Sequence, residues 1–61
     1  MTHYRCYFLN EIGKIRYVEA IECADDDTAC ALALARLRGR PDLATVELWD
    51  SDRKVLSQSI A

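Results

Sequence analysis

Polar and apolar positions alternate along residues 45–50, TVELWD, and residues 3–9, HYRCYFL, are rich in aromatic side chains. A period of two sends successive side chains to opposite faces of a pleated strand, and aromatic residues favour strands, so both stretches read as strands. Residues 15–23, IRYVEAIEC, and 53–57, RKVLS, read as two more. NEIGK at 10–14 joins the first pair of strands, with Gly13 free to take positive φ. Ser51-Asp52 makes a two-residue turn between the last pair. Residues 58–61 are expected to form a frayed tail.

Between these hairpins the period changes. Residues 25–38, DDDTACALALARLR, read as the only helix. Asp25 stands where a side-chain oxygen can accept an unpaired N–H of the first turn. Asp26 and Asp27 follow at the end where the helix dipole favours negative charge, and Arg36 and Arg38 lie at the other. The Ala and Leu run between them is the best helix-forming material. Gly39 can close the helix in a left-handed conformation, and Pro41 stops it. At roughly 100° per residue, Ala29, Cys30, Ala33, Leu34 and Leu37 share the core stripe. Thr28, Ala31, Leu32, Ala35 and Arg38 fall on the outward side. So little charge there reflects either the helix propensity of Ala or contact with a partner.

Register decides which strand face is buried, because a slip of one residue reverses a strand. An even-length first loop puts Tyr4, Cys6, Phe8, Ile15, Tyr17, Ile21 and Cys23 on one face, with Glu19 the exception. Arg5, Tyr7, Leu9, Arg16, Val18, Ala20 and Glu22 then share the other. An odd loop sets Arg16 beside Phe8, so the even register is preferred. In the second hairpin Leu48 is expected opposite Val55, Trp49 opposite Lys54 and Asp50 opposite Arg53. Leu43, in the loop after the helix, covers one end of the core. The core is expected to hold Phe8, Ile21, Leu34, Leu37, Leu48 and Val55.

The order ββαββ predicts an α+β fold, a four-stranded antiparallel sheet with the helix on one face. A right-handed crossover from strand two to strand three leaves room for strand one between them. The preferred strand order is 2-1-3-4, with 1-2-3-4 as the alternative. With 61 residues, the chain is expected to make one compact domain, 1–61. A domain this small buries only about 60% of its unfolded surface and is of marginal stability.

The segments YRCYFLNEIGKIR, IECADDDTACALALARL and VELWDSDRKV together resemble a group of short uncharacterised bacterial proteins. Its members share an aromatic first strand, a Gly-containing turn, a C-x-D-D helix start and an ELW…DR hairpin. The likeness spans most of the chain and implies a stand-alone domain. No activity or ligand comes with it. The loop RGRPDLA is longer here than in that pattern.

Composition narrows the classes. Apolar residues make up 51%, too many for a disordered segment, and the net charge is −2. An acidic balance argues against a general binder of nucleic acid or anionic membrane. No apolar run approaches the ~20 residues that span a bilayer. The first residues lack the apolar core of a signal peptide, so the expected location is cytoplasmic. Cys6, Cys23 and Cys30 are odd in number and lack CxxC spacing, which with a single histidine leaves no zinc site. They are read as small buried thiols. No metal or cofactor is expected.

His3 is alone, Ser51, Ser57 and Ser59 have no nucleophile-elbow context, and capping accounts for Asp25–Asp27 without a metal. No Gly-rich phosphate loop is present, and the chain is too small to wall a deep pocket. It is read as a non-enzyme. What remains is the helix-free face, with Arg5, Tyr7, Leu9, Arg16, Val18, Trp49, Lys54 and Leu56 as candidate contact residues and Glu47 among them. Trp, Tyr and Arg are the types enriched at interface hot spots. The first expectation is therefore a protein-interaction module, a homodimer or a binder of another protein. The alternative is a single-stranded nucleic-acid binder, with bases stacked on Tyr7 and Trp49 and phosphates on Arg5, Arg16 and Lys54. The acidic balance and the absence of an RNP-like motif count against it. A plainly solvated face, with Lys54 lying over Trp49, is the third possibility.

Overall fold

The computed structural model describes residues 1–59. Its elements are β1 (Thr2–Leu9), β2 (Ile15–Cys23), α1 (Asp26–Arg38), β3 (Thr45–Asp50) and β4 (Arg53–Ser59). The strands form one antiparallel sheet in the order β2-β1-β3-β4, so the fold is α+β and the 1-2-3-4 alternative is excluded. No helix among the described residues is long and apolar enough to cross a membrane.

The first turn is tied by one side chain. Asn10 Oδ1 accepts from the backbone N–H of Ile12 at 3.1 Å and of Lys14 at 2.9 Å, while Gly13 takes φ 83°. That combination closes a five-residue loop between Leu9 and Ile15, and a bulge beyond it restores the even register over the rest of the hairpin. Tyr4 faces Ile21, Cys6 faces Glu19 and Phe8 faces Tyr17 on the helix side, while Arg5 faces Ala20 and Tyr7 faces Val18 on the other. A bulge then inserts Arg16, so Leu9 faces Ile15. This corrects the expected place of Ile15. It shares the face of Leu9 rather than that of Phe8 and is 54% exposed.

A second bulge corrects the second hairpin. Trp49 faces Lys54 and Asp50 faces Arg53 as expected, but Leu48 faces Leu56, and Val55 is the inserted residue. Leu56 therefore leaves the helix-free face. It lies half-buried against the core, as does Val55. An extra residue in a strand re-aims everything beyond it, and alternation read from the turn outward misses that. Ser51, in the turn, adopts φ 56°. β4 runs on to Ser59, so residues 58 and 59 are strand rather than tail. The rest of the expected tail lies outside the described residues.

The helix begins as its caps dictate. Asp25 is extended and its carboxylate accepts from the Thr28 N–H at 2.8 Å. Gly39 ends it with φ −79°, a right-handed conformation and not the left-handed one expected. Its N–H bonds the Ala35 carbonyl at 3.2 Å. Ala29, Ala33 and Leu37 are fully buried, whereas Cys30 and Leu34 are half-buried at one margin of the stripe. Leu32, expected outward, also packs against the core. Small alanines let the helix lie close to the sheet, and Leu37 joins Phe8, Leu43, Val46 and Leu48 in one buried cluster. Leu43 is 3% exposed and covers its end as expected.

Candidate interaction surface

The helix-free face is read from the pairing. Across the sheet from β2 to β4, Ala20, Arg5, Trp49 and Lys54 make one row. Val18, Tyr7, Glu47 and Ser57 make the next, and Ile15, Leu9, Thr45 and Ser59 the last. Val18 is 50% exposed, while Tyr7, Leu9 and Trp49 are half-buried. The apolar strip thus runs along β1 and β2, and the β3–β4 side is polar.

Of the eight candidate residues, Arg5, Tyr7, Leu9, Val18, Trp49 and Lys54 share this face. Arg16 occupies the bulge at its corner, and Leu56 belongs to the other side. A hollow of about 620 Å³ opens among His3, Arg5, Tyr7, Ala20, Trp49 and Ser51. His3 Nδ1 lies 3.9 Å from Glu22 Oε2 at its rim. Trp49 is held on two sides: its Nε1–H donates to Glu47 Oε1 at 3.3 Å, and the Lys54 ammonium lies 5.5 Å from its ring centre.

Two polar clusters outside this face were not expected from the sequence. Tyr4 is 2% exposed, and its hydroxyl donates to Asp26 Oδ1 at 2.7 Å. Arg53 donates to both oxygens of Asp26 at 3.2 Å and to Asp50 Oδ2 at 3.0 Å, tying the second hairpin to the helix start. The hydrogen bonds from Arg53 and Tyr4 hold the Asp26 carboxyl below its usual range, and the same contact pushes the Tyr4 hydroxyl up to about 12. The N–H of Thr28 lowers Asp25 likewise. The signal for this cluster was a tyrosine on the inward face of β1, since a buried hydroxyl needs a partner.

The second cluster is Glu19 with Arg36. Glu19 does lie on the helix side, as its position required, and the Arg36 guanidinium bonds its Oε2. Its Oε1 is buried with no partner among the described residues. A smaller hollow, about 200 Å³, opens there between Phe8, Tyr17, Arg36, Arg40 and Leu43, with the Arg40 guanidinium 5.5 Å from the Tyr17 ring centre. Cys6, opposite Glu19, is fully buried, and burial pushes its thiol up to about 11. Cys23 is buried and Cys30 half-buried, the latter also raised by burial. All three are free thiols. Among the described residues, no group of three or more His, Cys, Asp or Glu side chains is placed to hold a metal ion.

Comparison with protein-family models, with curated proteins and with solved structures finds no match for the chain.

Proposed function

We propose that the chain is a small non-enzymatic interaction module that associates with itself through the helix-free face. The observation that carries this reading is the strip formed by Tyr7, Leu9, Val18 and Ile15 on the one sheet face the helix does not cover. An apolar strip left open on so small a protein is a liability unless another surface meets it. A second copy suits it because the face carries both signs of charge. Arg5 and Lys54 lie in one row and Glu47 in the next, with Glu22 at the rim, so a two-fold pairing can set the basic row of one copy on the acidic groups of the other.

The absence of catalysis is part of the proposal. The thiol of Cys6 is buried and raised, so it is a poor source of thiolate, and the His3 side chain is 81% exposed with Glu22 as its neighbour.

The hollow that brings Arg5, Tyr7 and Trp49 together supports a second reading, single-stranded nucleic acid stacked on the two rings. It ranks lower because Lys54 already covers the Trp49 ring, and Glu47 puts a carboxylate in the middle of the face. Molar mass by light scattering over a concentration series tests the first reading. The parent should associate, and Tyr7→Ser with Trp49→Ser should remove that face-to-face step while the circular dichroism stays native. If the double variant associates as fully as the parent, the face is not the contact. Salt-sensitive binding of an oligonucleotide to a monomer would favour the second reading.

A further inference from the structure

We propose that a second copy also joins along the outer edge of β2, so that two four-stranded sheets run on as one. The contact goes beyond the helix-free face. It uses the backbone of β2 and leaves the rings of Tyr7 and Trp49 out.

The two edges of the sheet are guarded unequally. An edge strand offers a row of free N–H and C=O groups, and proteins blunt it with lysines, prolines, bulges or short length. β4 is blunted: Lys54 stands near its start, the bulge at Val55 follows, and its far end is Ser57-Gln58-Ser59. β2 is the longest strand, nine residues, has neither lysine nor proline, and carries its bulge, at Arg16, near one end rather than in the middle. From Tyr17 to Cys23 it pairs residue for residue with Phe8 to Thr2, so its free side is regular over the same stretch. Exposed apolar side chains flank that free side on both faces. Tyr17 is 44% exposed on the helix side and Val18 50% on the other.

The sequence of β2 is complementary to itself in one antiparallel register. With the two-fold axis at Glu19, Tyr17 stands opposite Ile21 of the second copy and Val18 opposite Ala20, and Arg16, in the bulge that ends the regular stretch, comes beside Glu22. Opposite charges meet twice, once at each end, and apolar residues meet between them. An axis at Ala20 would set Val18 against Glu22, and an axis at Val18 would set Arg16 against Ala20. Shifts of a single residue between these would pair opposite faces and are excluded by the pleat. At the axis the two Glu19 side chains approach, each already neutralised by its own Arg36.

The test is a charge swap across the two-fold. Arg16→Glu alone sets a carboxylate against a carboxylate at both ends of the contact. Glu22→Arg alone sets a guanidinium against a guanidinium in the same two places. Each single variant should dissociate roughly tenfold more readily at this contact than the parent. A one-to-one mixture of the two should restore it, because one copy then carries Glu at both positions and the other Arg at both, so each end of the mixed pair joins one carboxylate to one guanidinium. A measurement needing no variant runs beside it. In the parent, hydrogen exchange at the β2 amides that point away from β1 should slow as concentration rises. Rescue in the mixture with concentration-dependent protection of β2 is the expected result. A parent that associates while those amides exchange at the same rate throughout overturns the edge contact and leaves the face-to-face reading standing. A parent that stays monomeric at every concentration overturns both.

Discussion

Leu37 is the side chain on which the two layers depend most. It is fully buried, it lies in the last turn of α1, and β3, the strand the helix packs on most, brings Val46 and Leu48 into the same cluster. Leu37→Ala removes its buried methyl groups and leaves a cavity that rigid strands below cannot collapse. Such changes cost about 2–5 kcal/mol. Native stability runs at roughly 0.05–0.15 kcal/mol per residue, or about 3–9 kcal/mol for a chain of this length. The mildest case, about 2 out of about 9 kcal/mol, still removes a fifth of the stability. Leu34, three residues earlier, is only half-buried, so Leu34→Ala should cost roughly 1 kcal/mol. Both are read from urea unfolding followed by Trp49 fluorescence. With a slope near ~1 kcal/mol per molar, Leu37→Ala should move the midpoint by about 2 M or more, and Leu34→Ala by about 1 M. Equal losses, or a larger loss at Leu34, would mean that the helix presents a different face to the sheet.

Stability should fall at both extremes of pH. Asp25 and Asp26 titrate below their usual 3.8 in the folded chain, so their contribution is whole above pH 3.8 and is lost as pH drops through the folded values. Asp26→Asn should flatten that acid limb in thermal melts. Tyr4 is raised from 10.0 to about 12, so its contribution is whole below pH 10 and fades as pH climbs toward 12; Tyr4→Phe should remove that alkaline limb. Glu19→Met should leave the melting temperature unchanged or raise it, since it removes a carboxylate with an unpartnered oxygen. Arg36→Met should lower it by stranding that carboxylate, and a fall of equal size in both variants would refute the reasoning. Thiol labelling followed by mass spectrometry should modify Cys30 first in the native chain, with Cys6 and Cys23 reacting only on unfolding.

The elements and their order were legible because each had a local cause. Asp25 marked the helix start, alternation marked β3, and the inward position of Glu19 followed from parity alone. What escaped was set by insertions that change parity without changing composition. The bulges at Arg16 and Val55 moved Ile15 onto the helix-free face and Leu56 off it, and no residue type at either place announces a bulge. The face was thus legible at Arg5, Tyr7, Leu9, Val18, Trp49 and Lys54, whose placement neither insertion reverses. The ties between Tyr4, Asp26 and Arg53 join residues far apart in the chain, and periodicity carries no information about such pairs.

The central place of β1 bears on how the chain comes off the ribosome. β1, made before the other three strands of this sheet, is flanked on both sides in the finished sheet, by β2 directly after it and by β3 only after the helix has been synthesised. The nascent β1–β2 hairpin therefore waits with one backbone edge of β1 open, and with Tyr4, Cys6 and Phe8 uncovered until α1 and β3 arrive. Translation that halts before Thr45 leaves a fragment with no neighbour for that edge. The sheet is completed only once β3 has been made, and a product cut short before it is a strand-pairing hazard rather than a smaller working version.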